Sequence, residues 1–207
     1  VEDINWIAVK EGSHTLPDGR KIEARHGDAD SDGEPVSFTQ DFAAPPVVLT
    51  TVASDNDTSY VDSDPSDITA DGFNLFVEEA ESQDGIHGTE QVGWIAIEPG
   101  TGTESGSASN SSTVNSDWAT YGTGDDFTNP ITVAETQTRN DPDTGNVIWR
   151  NGNATNDTIQ LRFEEDTSVD GDTGHADETV GIVTFEEGEI LCFTAGTVIA
   201  TSRGARA

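Results

Sequence analysis

A phrase stated three times at one spacing constrains this chain more than any other feature. The run from Glu2 through Trp6-Ile7-Ala8-Val9 to Gly12 returns from Glu90 through Trp94-Ile95-Ala96-Ile97 to Gly100. It returns again, more worn, from Glu178 through Ile182-Val183-Thr184-Phe185 to Gly188. Glu2 to Glu90 and Glu90 to Glu178 are each 88 residues. That period is too long for a solenoid unit and is the size of a small domain. The chain therefore divides into the terminal strand of a preceding repeat (1–12), two repeats (13–100 and 101–188) and a remainder (189–207). It reads as a piece of a longer array.

Helical periodicity is almost absent. Apolar residues alternate in short runs such as Phe73-Leu75-Val77, Val92-Trp94-Ala96 and Ile159-Leu161-Phe163, each bounded by Gly, Pro, Asp or Asn. This is the pattern of half-buried antiparallel strands. The expected fold class is all-β: two tandem antiparallel β-sandwiches of about six strands each, plus terminal strand fragments. Trp94, Phe73 and Val48 should share one core, with Trp6 doing the same work in the N-terminal fragment. The Gly/Ser/Thr-rich stretch 100–116 should be a connector followed by an edge strand.

Forty acidic residues face nine basic ones, a formal charge of −31. Such a surface repels phosphates, so nucleic acid is not an expected partner. No stretch is long and apolar enough for a membrane span, so membrane insertion is not expected either. Self-repulsion on this scale destabilises a compact state unless salt or bound cations screen it. A secreted or cell-surface location, bacterial and in a saline medium, follows as an expectation. A single cysteine, Cys192, leaves the fold to packing alone.

The acids suggest two kinds of cation site. Asp28, Asp30, Asp32 and Glu34, with Gly33 in the sixth place, resemble the front half of a calcium loop; Thr39 stands where a closing Glu would be. The other reading of this segment is a solvated acidic turn. The second cluster recurs: Glu79, Asp84, His87 and Glu90 in repeat one, Glu165, Asp172, His175 and Glu178 in repeat two. Carboxylates in loops suit Ca²⁺, and a histidine among them suits a transition metal. Alternatively, each histidine simply hydrogen-bonds its neighbouring glutamates and staples a hairpin. No nucleophile–base pair stands out, and the repeats are expected to be non-catalytic.

The phrases Phe42-Ala43-Ala44-Pro45-Pro46-Val47-Val48, Asp71-Gly72-Phe73 and Val92-Gly93-Trp94-Ile95-Ala96 together resemble the H-type lectin family. The resemblance implies a six-stranded sandwich, often trimeric, and binding of a glycan or other cell-surface ligand. The family's sugar-holding Arg falls near Tyr60 here and its aromatic pair near Ala80-Glu81, so the carbohydrate-binding residues are not specified. Such modules would serve as adhesive or spacer units, or self-associate as a trimer or a fibre. The segment Cys192-Phe193-Thr194-Ala195-Gly196-Thr197-Val198-Ile199-Ala200-Thr201 resembles the opening of a Hint module, the self-processing fold of Hedgehog proteins and inteins. In that family the first Cys attacks the preceding carbonyl, here that of Leu191. The alternative is an ordinary strand with a buried Cys.

Overall fold

The computed structural model describes residues 3–102, 105–151, 157–191 and 198–205. These carry sixteen strands and no helix. β1 (Asp3–Val9) precedes repeat one, which contains β2 (Gly12–Thr15), β3 (Lys21–Ala29), β4 (Glu34–Ser37), β5 (Val47–Val52), β6 (Val61–Ser66), β7 (Gly72–Glu79) and β8 (Glu90–Ile97). Repeat two contains β9 (Ser107–Val114), β10 (Ala119–Gly122), β11 (Pro130–Thr136), β12 (Gly145–Asn151), β13 (Thr158–Glu165) and β14 (Glu178–Glu186). β15 (Gly188–Leu191) and β16 (Val198–Ala205) follow.

The two repeats fold alike. In the first, a sheet ordered β2-β3-β8-β5 faces a sheet ordered β4-β7-β6. In the second, β9-β14-β11 faces β10-β13-β12, and among the described residues a single Gly100–Ala108 bridge stands where β2 pairs with β3 in the first. Every strand pair is antiparallel. Alternation along β7 and β8 sends Phe73, Leu75, Val77, Val92, Trp94 and Ala96 into one core with Val48 and Phe42, as the sequence predicts. Phe38 lies 5.8 Å from Trp94 and 5.6 Å from Phe73, within the range of favourable aromatic pairs. Repeat two has Ile182 in place of Trp94; its core gathers Val114, Ile159, Leu161, Val180 and Ile182, with Trp149 packed against it. The stretch after Gly100 leads into β9, an edge strand, also as expected.

The opposite faces of the hydrogen-bonded sheets meet in a third core. Leu16, Ile22, Val47, Leu49 and Ile97 of repeat one join Ala108, Val183 and Phe185 of repeat two, with Ile199 of β16. Ile7 and Val9 of β1 pack against it. The seam between the repeats is also polar. Gln137 accepts the Val48 N–H at 2.8 Å and donates to the Val48 carbonyl at 2.7 Å, and Thr136 Oγ1 donates to Asp64 at 2.6 Å. Arg20 donates to the carbonyls of Glu98, Gly100, Ser105 and Gly106 and so ties the connector down.

One expectation needs correction. Trp6 does not repeat the role of Trp94: it is 42 % exposed against 3 % for Trp94. β1 pairs with β16, and among the described residues no second sheet lies over its Trp6 face, so the indole lies open.

Candidate functional site

At the open end of each sandwich the last two strands and one loop converge on a buried histidine. In repeat one, β7 ends at Glu79 and β8 begins at Glu90, and both carboxylates point inward because they continue the buried alternation of their strands. His87, three residues before Glu90, lies between them. Its Nδ1 is 3.1 Å from Glu79 Oε1 and its Nε2 is 3.2 Å from Glu90 Oε1. All three side chains are almost fully buried.

A loop supplies the remaining donors. Glu90 Oε1 accepts the backbone N–H groups of Asn56 at 2.8 Å and Asp57 at 3.0 Å, and Oε2 accepts the Ser54 hydroxyl. Asn56 donates to Ser54 Oγ and to the Thr89 carbonyl, and Asp57 accepts the Gly88 N–H. Glu79 Oε2 accepts the Gly85 N–H. Each buried charge is thus paired and hydrogen-bonded, the condition for burying it.

Repeat two rebuilds most of this network from equivalent residues. His175 Nδ1 is 3.0 Å from Glu165 Oε1, and Glu178 accepts Thr138 Oγ1, Asn140 N at 2.6 Å and Asp141 N at 3.2 Å. Asp141 accepts the Ala176 N–H at 2.9 Å. His175 Nε2 stands 3.4 Å from Glu178 Oε1, an ion-pair distance without the alignment of a hydrogen bond. The ring stacks on Phe163 with centroids 3.6 Å apart.

These contacts set the ionisation. The Ser54 hydroxyl leads the effects that hold Glu90 down at about 2; burial opposes it, and the Asp57, Asn56 and His87 donors add to it. Burial pushes the His87 imidazole down, but its hydrogen bonds to Glu79 and Glu90 and the charge of Asp57 more than reverse this. His175 is likewise raised: burial acts against it, and Glu178, Glu165 and Asp141 outweigh burial. In each repeat the two flanking carboxylates thus favour the charged form of the histidine over the neutral one.

The residues expected to bind cations separate into two sets. Glu79, His87, Glu90, Glu165, His175 and Glu178 come together. Asp84 turns away to accept the Ile86 N–H, and Asp172 accepts the N–H groups of Thr173 and Gly174. Asp28 lies on β3, while Asp30, Asp32 and Glu34 span a tight turn into β4, with Asp30 Oδ1 accepting the Asp32 N–H at 2.9 Å. Gly33 has φ of 82°, and a Cβ there would collide with the Phe76 ring, so the turn itself requires glycine. Among the described residues, the three side chains whose ligand atoms lie close enough to share one ion are Asp141, Glu165 and His175. Cys192 lies outside the described residues.

Sequence reasoning missed the donor loop. Its signal was present: Ser54-Asp55-Asn56-Asp57 and Thr138-Arg139-Asn140-Asp141 share a hydroxyl residue, a spacer, Asn and Asp, 84 residues apart. It also missed a set of acids at the seam. Burial, with the nearby charge of Asp64, raises Asp62 to about 6 and Glu78 to about 7, although Arg139 pairs with Glu78. Burial likewise raises Asp64 and Glu135. Beside these acids a cleft of about 680 Å³ opens between the repeats, lined by Tyr60, Asp62, Glu78, Ala80, Glu164 and Asp166 among others.

No protein-family model matches the chain. It is similar to Halomucin of Haloquadratum walsbyi, with 29 % identity over 190 residues. That match covers 86 % of this chain but spans only 2 % of the relative's length. The described residues contain no helix long and apolar enough to cross a membrane.

Proposed function

We propose that the chain is a non-catalytic tandem module of a secreted or cell-surface repeat protein, adapted to a saline medium and used as a spacer or adhesive unit. The observation that carries this reading is the buried His–Glu staple, built in both repeats from equivalent residues and fully hydrogen-bonded in the first. It presents no open reactive group in repeat one, and it locks the two strands that end each sandwich. The shared core and the Gln137 seam turn two repeats into one body, as a spacer requires. The net charge of −31 supports the saline setting. The similarity to a protein named as a mucin, from an organism named for salt, supports it further. The test is unfolding as a function of NaCl. Stability should rise steeply from low to molar salt with both repeats unfolding in one transition. Full stability at low ionic strength, or two independent transitions, would overturn the reading.

A glycan-binding role has one observation in its favour. The cleft between the repeats contains Tyr60, which is 95 % exposed, and Ala80, the neighbourhood in which the resembled lectins hold sugar. A glycan array probed in high salt, with Tyr60→Ala as control, separates adhesion from spacing. For Ca²⁺ or a transition metal, the supporting observation is the grouping of Asp141, Glu165 and His175. The Hint reading of Cys192 carries its own test: a precursor extended through the whole module should break at the Leu191–Cys192 bond and be stopped by Cys192→Ala.

A further inference from the structure

β1, β16 and β15 repeat the pairing of β8, β3 and β2. Ile22 pairs with Ile97 in repeat one; Val9, 88 residues before Ile97, pairs with Ile199, 177 residues after Ile22. Gly12 pairs with Ala24, and Gly188 pairs with Thr201 in the equivalent way, with one extra residue in the longer loop. Side chains follow the same register. Ile95 and Ile97 face the shared core, and so do Ile7 and Val9; Ile22 is fully buried in it, and so is Ile199. The three strands therefore hold the place that a third repeat's hydrogen-bonded sheet would take at the shared core.

Among the described residues, no second sheet covers the other face of this one. In repeat one, Val92, Trp94 and Ala96 are buried against Phe38, Phe73 and the rest of the β4-β7-β6 side. Their counterparts Ile4, Trp6 and Ala8 are exposed, Ile4 at 48 % and Trp6 at 42 %. β1 carries the inner-face residues of a sandwich without its second sheet. An exposed isoleucine and tryptophan side by side on a strand mark an interaction surface rather than a solvated one.

We propose that the third place at the shared core is the docking site of one complete 88-residue repeat, the one that ends in β1, and that β16 and β15 stand in for that repeat's first two strands. The occupant follows from the register. A strand with the β3 pattern would pair with β1 and bury its Ile where β16 buries Ile199, and a β4-β7-β6 sheet would cover Trp6 as Phe38 and Phe73 cover Trp94. The inference rests on the tandem-repeat reading proposed above and extends it.

The test lengthens the chain at its N-terminus by a second copy of residues 13–88, so that β1 again ends a full repeat. Fluorine-labelled tryptophan, with Trp6 assigned by Trp6→Phe, reports the indole's exposure, and hydrogen exchange reports β16. The expected result is a Trp6 signal as shielded from solvent as that of Trp94, with amide exchange in Ile199–Ser202 accelerated at least ~tenfold as β16 is displaced. Trp6→Ala should leave the melting temperature of the 207-residue chain unchanged and lower that of the lengthened chain by several degrees. A lengthened chain whose added repeat folds while Trp6 stays exposed and β16 stays protected would overturn the docking site and leave the tandem reading intact. An added repeat that gains no strand signal in circular dichroism would count against both.

Discussion

Gln137 closes both ends of its side-chain amide on the backbone of a single residue, Val48, in the other repeat. Val48 lies on β5, an edge of its sheet, and its outward N–H and carbonyl would otherwise be buried without partners. A side chain here does what a neighbouring strand does, and it blunts an edge that would otherwise invite pairing with another chain. Gln137→Ala should cost about 1–3 kcal/mol in equilibrium unfolding, because both groups of Val48 are left orphaned. Gly181 explains how the seam closes so tightly. A Cβ there would sit 2.5 Å from Val47 Cγ1 and 2.9 Å from the Gln137 amide carbon, so Gly181→Ala should separate the repeats and be seen as a split transition.

The buried staple predicts an asymmetry between charge and shape. Glu90→Gln keeps the volume but leaves His87 with one carboxylate and weakens the acceptor for Ser54, Asn56 and Asp57. A loss of about 3 kcal/mol is expected, the usual cost of breaking a buried pair. Glu34→Gln, on the exposed turn, should lie within about 0.5 kcal/mol of the parent. Denaturant unfolding of both variants checks this.

Stability should peak between about pH 4 and 4.5. Asp62 and Glu78 are raised to about 6 and about 7, so between pH 4.5 and 7 the folded state binds more protons than the unfolded one, and stability falls as pH rises. The raised histidines act in the same direction: their contribution is complete below the ordinary imidazole value and is lost as pH rises through the folded one. Glu90, held at about 2, acts on the other side, losing its contribution as pH falls below 4.5. Melting temperature against pH at constant high salt measures the profile. Arg139→Gln should steepen its alkaline side, since Arg139 is the cation paired with Glu78.

If a divalent cation is held, it should be held in repeat two. Millimolar Ca²⁺ should raise the melting temperature beyond NaCl of equal ionic strength, and Asp141→Asn should remove the excess while Asp32→Asn keeps it. Loss of the excess in Asp32→Asn alone would return the site to the turn before β4.

Trp94→Ala should cost about 3–5 kcal/mol, the range for deleting a large aromatic from a packed core. A loss below about 1 kcal/mol would contradict its burial among Phe38, Phe42 and Phe73.

The sequence by itself determined the period, the strand class and the core of repeat one. Each of these depends on local alternation or on spacing within one unit, and both are written along the chain. Whether the recurring acids hold an ion or clamp a histidine was not written there, because carboxylates are so frequent that spacing carries no information about convergence. What the tertiary structure adds is the convergence itself: it brings the Ser54–Asp57 loop, about 35 residues away in sequence, onto Glu90 and seats His87 between Glu90 and Glu79. It also decided the fate of Trp6 and Trp94. They occupy one place in one phrase, yet one is open and the other buried. Burial is set by the sheet that faces a strand, and that sheet comes from elsewhere in the fold.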